Sequence, residues 1–329
     1  MAQLKKRDNW GSRLGIIMAV AGSAIGLGNF LRFPAKAAAN GGGAFMIPYF
    51  ISLLLLGIPL MWIEWTLGRY GGGFGHGTAP GIFHSLWNKN RFIKYFGIIG
   101  IFGPLVIFIY YTFIESWTLA YSFFALSGKY AALGDQVTMR SFLAGFQGLE
   151  KNQYFNGIGV AYTFFLVTFL LNIWVIYYGI KGGIEKLCKW AMPVLFIFGI
   201  ALMIRVLTLG TPDPNHPDWN VLQGFGFLWN PDFSALKSAK VWLEAAGQIF
   251  FTLSVGIGVI LTYASYLKKA DDVVLSGTTA AMTNEFAEVI LGASIVIPAA
   301  FVFFGPTDIK TIASSGVFNL GFVTMPLVL

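Results

Sequence analysis

The feature that most constrains this chain is its series of long apolar runs, at roughly 12–37, 43–69, 92–126, 157–178, 187–209, 241–267 and 276–304. A helix crossing the hydrocarbon core of a bilayer needs about 20 such residues. In that environment every backbone N–H and C=O must be satisfied within the segment, and runs this long achieve it only as helices. Alternation of period two is absent, which disfavours a β-barrel. The expected fold class is therefore all-α integral membrane, with seven transmembrane helices. Composition points the same way, since 56% of the residues are hydrophobic, 11% are charged and the mean hydropathy is +0.68. A soluble domain carries about 25% charged residues, so this chain lacks the polar surface to coat a water-facing globule.

A net charge of +7 would suit nucleic acid, but the basic residues sit in short clusters between apolar runs. They are better explained by the excess of Lys and Arg in cytoplasmic loops. Lys5, Lys6 and Arg7 precede the first run, and Arg69, Lys89, Arg91 and Lys94 surround the second loop. Lys181, Lys186 and Lys189 mark the fourth, and Lys268 and Lys269 the sixth. The opposite loops, near 127–156 and 210–240, are longer and hold Asp135, Glu150, Asp213, Asp218 and Asp232. This places the N-terminus inside, opposite to a seven-helix receptor of the usual kind. Met1 to Asn9 has no small-residue cleavage site, so no removable signal peptide is expected. Cys188 is the only cysteine and excludes an intrachain disulfide, while His76, His84 and His216 lack ligand spacing. After Gly305-Pro306 and a polar stretch, Val317 to Leu329 turns apolar again and ends within that run, so the sequence reads as cut off.

The first run contains Gly22, Gly26 and Gly28 within seven residues. Gly costs about 1 kcal/mol relative to Ala inside a helix. Gly22 and Gly26 form a small-xxx-small pair suited to close helix packing; the same residues suit an unwound stretch whose carbonyls face a cavity. A dinucleotide loop is excluded, because no strand precedes it and the third glycine is missing. The sixth run repeats the feature, with Phe251-Thr252-Leu253-Ser254-Val255-Gly256-Ile257-Gly258. Trp10 and Trp242 precede the two glycine pairs at similar distances. Five helices separate the two runs, so they cross in opposite senses. Gly-interrupted helices in matching positions of inverted halves point to a transporter's binding site.

Such breaks have a definite chemistry. A half-helix N-terminus carries about +0.5 charge and unpaired N–H groups that suit a carboxylate. Freed carbonyls and side-chain oxygens suit a hard cation. Asn29, Thr252 and Asn284 supply neutral oxygens near the breaks. Any one of them alone is more simply an interhelical hydrogen bond, worth about 0.6 kcal/mol; their convergence favours a site. Glu64, Glu115 and Glu288 lie within apolar runs, where an ionised acid is costly unless paired. Asn284 and Glu288 are four apart and share a helix face, as do Ile107, Tyr111, Ile114 and Glu115. Glu64 is read as structural, satisfying backbone freed by a helix break, and Glu288 as a titratable neighbour of a cation site. An enzyme is disfavoured, because no His–acid cluster and no serine beside a recognisable base is present.

Arg7, Trp10, the run Ala24-Ile25-Gly26-Leu27-Gly28-Asn29-Phe30, and Arg32-Phe33-Pro34 resemble the start of the neurotransmitter:sodium symporters. Asn40 to Phe45, Glu64 with Gly68-Arg69-Tyr70, Tyr110-Tyr111, Gln248 to Ser254, and Asn284 with Glu288 extend the resemblance over essentially the whole chain. The resemblance implies two inverted five-helix repeats plus two further helices, twelve in all, with helices one and six broken. Residues 1–209 would form the first repeat and 210–329 the start of the second. It implies sodium-coupled symport of an apolar amino acid across the cytoplasmic membrane by alternating access. The alternative class is a membrane subunit that binds an amino acid without transporting it.

The resemblance also assigns residues. One sodium ion would sit among the Ala24 carbonyl, Asn29, Thr252, Asn284 and the substrate carboxylate, and a second on the carbonyls of Gly22 and Ile25. The substrate would rest on Ser23, Ala24, Gly26, Ile107, Tyr111, Phe251, Ser254 and Ile257, with Tyr111 holding its carboxylate. Arg32 and Gln248 match an extracellular gate, and Arg7, Trp10 and Tyr266 an intracellular one. Glu288 stands where chloride-dependent members have serine, which implies no chloride requirement. Ser23, Ile257 and Ile107 stand where a leucine-carrying member has asparagine, phenylalanine and valine, so the identity of the apolar substrate stays open. The implied partners are the amino acid, sodium and the lipid bilayer, with no nucleic acid and with room for a homodimer.

Overall fold

The computed structural model describes residues 8–87, 92–211, 213–314 and 316–328, the side chains of 307–314 excepted. The described residues are helical and contain no strand, only an isolated bridge between Gly42 and Pro231. In chain order the helices used below are α1 (Arg13–Ala24), α2 (Gly28–Ala39), α3 (Gly43–Gly72), α4 (Ala79–Leu86), α5 (Ile93–Leu126), α6 (Gln136–Phe146), α7 (Gly159–Tyr177) and α8 (Ile180–Leu207). They continue with α9 (Val221–Trp229), α10 (Ala239–Thr252), α11 (Val259–Ala264), α12 (Val273–Pro306) and α13 (Val317–Val328).

Five of these, α3, α5, α7, α8 and α12, are long and apolar enough to cross a membrane, and α1 with α2 makes a sixth if the bent pair is one span. The seven continuous runs expected from hydropathy are therefore not seven continuous helices. The run 12–37 bends by 46° between α1 and α2. The run 241–267 divides into α10 and α11, separated by Leu253–Gly258, and neither piece is long enough to cross alone. Hydropathy cannot register this, because apolarity continues through a segment whose backbone stops being helical.

Burial sorts the helices. The best apolar window of α12 is 83% buried within the protein, whereas that of α7 is 6% buried. The first is a central helix, and the second presents Leu170, Trp174 and Tyr177 outward. For a water-soluble protein, faces of this kind would mark interaction sites; here they suit hydrocarbon. Trp65, Tyr49, Phe33 and Phe45 are fully buried and anchor the core shared by α1, α2, α3, α10 and α12. α3 crosses α11 so closely that a Cβ on Gly68 would lie 2.5 Å from the Leu261 carbonyl oxygen, and one on Gly72 2.0 Å from that of Ser265. Small residues let backbones approach in this way. Outside the spans, α6 starts at Asp135, whose carboxylate accepts the Val137 and Thr138 N–H groups as an N-cap. Its Phe142 and Phe146 pack on Phe124 and Phe155.

Candidate functional site

The site grows out of the two helix breaks. α1 ends at Ala24, Ile25 is extended at φ −78°, ψ 116°, and its N–H closes the last turn on the Ala21 carbonyl at 2.7 Å. The following amide, that of Gly26, is held by the Asn29 side-chain oxygen at 2.9 Å. The carbonyls that end α1 and the N–H groups that begin α2 thus face a common gap. At the second break, Ser254 has φ 54°, Gly256 85° and Gly258 83°. A non-glycine residue in this left-handed region is uncommon, and it takes the chain out of α10 immediately after Thr252. The Gly256 N–H freed by the break donates to the Glu64 carboxylate on α3. Glu64 therefore does what an intramembrane acid placed for structure would do.

Between the breaks lies a cavity of about 750 Å³. All eight residues expected to bind substrate line it: Ser23, Ala24, Gly26, Ile107, Tyr111, Phe251, Ser254 and Ile257. Gly22 and Ile25, expected to hold a cation through their carbonyls, line it too. The Tyr111 hydroxyl reaches across to the break between α1 and α2, where a Cβ added to Gly26 would lie 3.1 Å from it. At the far end of the cavity, Asn172 on α7 donates to the Glu115 carboxylate at 2.8 Å.

Asn29, Thr252 and Asn284 do not line the cavity; they lie buried behind it in one hydrogen-bonded cluster. The Asn29 amide donates to Asn284 Oδ1 at 2.9 Å and to Glu288 Oε2 at 3.2 Å. Asn284 donates to the Thr252 hydroxyl at 2.9 Å, and Thr252 in turn donates to Glu288. Gln248 completes the set, donating to Glu288 Oε1 at 2.7 Å. Glu288 is fully buried and accepts from three side chains on two helices, Asn29 of α2 and Gln248 and Thr252 of α10. Its helix widens into a π-helical stretch over Phe286–Ala293. Gly292 in that stretch packs so tightly on α2 that a Cβ would lie 2.1 Å from the Asn29 carbonyl oxygen. Such wide turns are frequent at functional sites.

The residues matched to gates occupy the two ends. Arg32 donates to Gln248 Oε1 at 2.8 Å and places its guanidinium 4.0 Å from the centre of the Phe251 ring. At the opposite end, the Trp10 indole N–H donates to the Tyr263 carbonyl at 2.9 Å and its backbone N–H to the Tyr266 carbonyl at 3.4 Å. Arg7 lies outside the described residues.

Three contributors escaped the sequence reading. Tyr49 donates to Glu285 Oε2 at 2.7 Å, both buried beside Glu288. Glu285 had a signal, since it follows Asn284 and stands one turn before Glu288 within an apolar run. Glu185 accepts the Gly11 N–H at 2.7 Å and the Ser12 hydroxyl at 3.0 Å, tying the start of α1 to α8. No sequence spacing announces that long-range contact.

The Sodium:neurotransmitter symporter family model matches residues 7–140 and 135–329. An uncharacterized sodium-dependent transporter of Methanocaldococcus jannaschii is 34% identical over 327 residues, covering 98% of this chain and 62% of its own length. The uncharacterized sodium-dependent transporter YhdH of Bacillus subtilis is 32% identical over 326 residues, covering 98% of this chain and 67% of its own. The crystal structure of MhsT in complex with L-phenylalanine superposes with a TM-score of 0.79 at 32% identity, covering 98% of this chain and 66% of that one. The chain thus spans about three fifths of the length of the first of these relatives. With matching motifs, matching fold and a family model that takes in nearly every residue, this chain belongs to the sodium:neurotransmitter symporter family, a family of symporters and not of enzymes.

Proposed function

We propose that this chain carries the substrate site and sodium sites of a sodium-coupled symporter for an apolar amino acid, working by alternating access. The observation that carries this reading is the convergence of Ser23, Ala24, Gly26, Ile107, Tyr111, Phe251, Ser254 and Ile257 on one cavity between two helix breaks. The carbonyl end of α1 has partial negative charge and suits sodium, while the N-terminal end of α2 suits the substrate carboxylate. Tyr111 adds a hydroxyl donor for that carboxylate. Ile107, Phe251 and Ile257 leave the side-chain portion of the cavity apolar. That MhsT has been solved with L-phenylalanine supports an amino acid with an apolar side chain.

On this reading α1 with α2, and α10 with α11, are the first and sixth of seven spans, and residues 1–209 and 210–329 belong to two inverted repeats. The basic loops put the N-terminus in the cytoplasm. One sodium ion uses the Ala24 carbonyl, Asn29, Thr252 and Asn284, and a second uses the carbonyls of Gly22 and Ile25. Hard cations take oxygen ligands of these kinds. Glu288, behind the first ion, holds the orientation of Thr252 and Asn29. Arg32 with Gln248 closes the outer end, and Trp10 with Tyr266 the inner.

The test is uptake by the complete protein in liposomes. An inward sodium gradient should drive accumulation of radiolabelled leucine or phenylalanine, and its collapse should abolish it. Saturable binding without accumulation would instead establish a non-transporting binding subunit. Absence of amino-acid binding at every sodium concentration would refute both readings.

A further inference from the structure

A second cavity, of about 390 Å³, lies at the end of α3 remote from the substrate site and is lined by Thr66, Arg69, Tyr70, Gly73, Phe74 and Lys269. Two cations and no acid face it. The acids next in sequence to Lys269 are already engaged. The Asp271 carboxylate accepts the Lys268 backbone N–H at 2.8 Å, and its carbonyl accepts Arg69 Nη1 at 2.6 Å. Asp272 accepts the Leu275 N–H at 3.0 Å and pairs with Arg13 at 3.8 Å. Among the described residues Lys269 has no ion-pair partner. One Arg69 nitrogen fixes the guanidinium against the loop, and Arg69 also lines the cavity. A planar fork beside a point-charge ammonium is the donor pair that suits a phosphodiester.

The surroundings give the depth. Tyr70, in the last turn of a spanning helix, and Phe74, just past its end, are half exposed with ring centres 5.1 Å apart. Exposed aromatic rings at a helix end mark the headgroup level of a membrane. One turn or two back, Ile63 and Thr66 are exposed on the same helix and would run alongside an acyl chain. Gly73 adds no side chain to the lining; a Cβ there would lie 3.2 Å from the Tyr70 carbonyl oxygen and 4.0 Å from Lys269 Cε. We propose that this cavity binds the headgroup of an anionic phospholipid, with Arg69 and Lys269 on its phosphate and Tyr70 and Phe74 flanking its glycerol. The proposal rests on the membrane-embedded fold and is independent of whether the chain transports amino acids.

The experiment measures retention of phosphatidylglycerol and of phosphatidylcholine by the complete purified protein, using native mass spectrometry, for the natural sequence and for Lys269→Gln and Lys268→Gln. Both lysines are exposed, so neither change threatens folding. The natural protein should prefer phosphatidylglycerol. Lys269→Gln should weaken that binding roughly fivefold, the contribution of a basic residue near an anionic surface, and leave phosphatidylcholine unaffected. Lys268→Gln removes the same charge one residue away, outside the cavity, and should change retention far less. Equal losses from the two variants would show diffuse attraction and overturn the site. Displacement of the lipid by millimolar inorganic phosphate would overturn it as well, in favour of a free-anion pocket.

Discussion

Gln248 donates to Glu288 at 2.7 Å while its own amide oxygen accepts Arg32 at 2.8 Å. One amide thereby joins the residue at the outer end of the cavity to the buried acid behind the proposed sodium site. Both of its ends are specified, because only an acceptor can face Arg32 and only a donor can face a carboxylate.

Gln248→Leu breaks this link at both ends. Glu288 loses one of three donors in a fully buried position, which costs about 1–3 kcal/mol. Arg32 keeps the Phe251 ring but loses its anchor. Expected outcomes are a lower unfolding temperature in detergent and faster release of bound amino acid towards the outer side. Unchanged unfolding and release would show that the bridge carries neither stability nor closure.

The contact between Gly26 and Tyr111 can be tested as a pair. A methyl on Gly26 would lie 3.1 Å from the Tyr111 hydroxyl, in the place proposed for the substrate carboxylate. Gly26→Ala and Tyr111→Phe should each weaken substrate binding by roughly tenfold, about the loss of one hydrogen bond to a charged group. Because both act on one hydroxyl, the double variant should be little worse than Tyr111→Phe alone, a departure from additivity of the kind seen for residues in contact. Equilibrium binding on the four proteins decides it. Additive losses would place the two residues at separate parts of the substrate.

These two residues also show how much of the molecule was legible beforehand. The cavity lining was readable because glycines interrupting two apolar runs and Tyr111 on a third fall into a pattern that physics ties to broken helices. Glu64 was readable because an acid in hydrocarbon needs a donor, and a broken helix supplies one, here Gly256 N–H. Where continuous helix stops was not readable from hydropathy, because Leu253–Gly258 is as apolar as the helices beside it, and only the glycines marked it. Nor was the division of the polar residues. Asn29, Thr252 and Asn284 were expected around an ion with Glu288 beside it, and sequence offered no way to see that Gln248, matched to a gate, joins them through Glu288 behind the cavity wall. Glu185 was missed because its partners, Gly11 and Ser12, are 174 and 173 residues away.

Asn284 is the hinge of the buried cluster, accepting from Asn29 at 2.9 Å and donating to Thr252 at 2.9 Å. Asn284→Ala removes an oxygen from the proposed first sodium site and leaves the Asn29 amide one acceptor short. The sodium concentration for half-maximal amino-acid binding should rise by roughly tenfold or more, the equivalent of about 1.4 kcal/mol. Titrating sodium at fixed amino acid checks it. An unchanged midpoint would remove Asn284 from the ion site.

At the inner end, Trp10→Phe deletes the indole N–H bonded to the Tyr263 carbonyl while keeping an aromatic ring where the two rings sit 5.8 Å apart, edge to face. The lost hydrogen bond contributes about 0.5–1.5 kcal/mol to keeping that end closed. Cys188 reports on it, because its sulfur lies near Gly22 on α1, 3.6 Å from where a Cβ would be. Alkylation of Cys188, followed by peptide mass, should be roughly two- to tenfold faster in Trp10→Phe, in line with that energy. Added sodium should slow it in both proteins. Equal rates would show that Trp10 does not control access from that side.

Glu288→Gln separates charge from shape. Three donors converge on this carboxylate, from Thr252, Gln248 and Asn29, and a carboxylate can accept all of them on its two oxygens. Glutamine fills the same space but offers one oxygen and one NH₂ group. With the NH₂ towards Gln248, two donors face each other; turned the other way, it meets the Asn29 amide. Either orientation leaves a buried donor without an acceptor, at about 1–3 kcal/mol. The variant should therefore unfold at lower temperature, and its sodium-dependent binding should weaken because Asn29 and Thr252 are no longer held in place. Adding Gln248→Leu to Glu288→Gln removes the clashing donor at Glu288 Oε1, so the double variant should regain part of the stability lost by Glu288→Gln alone. Thermal unfolding of the three variants beside the natural protein measures this directly. A double variant less stable than both singles would show that the donors around Glu288 act independently, and that the acid is not the centre on which the cluster is built.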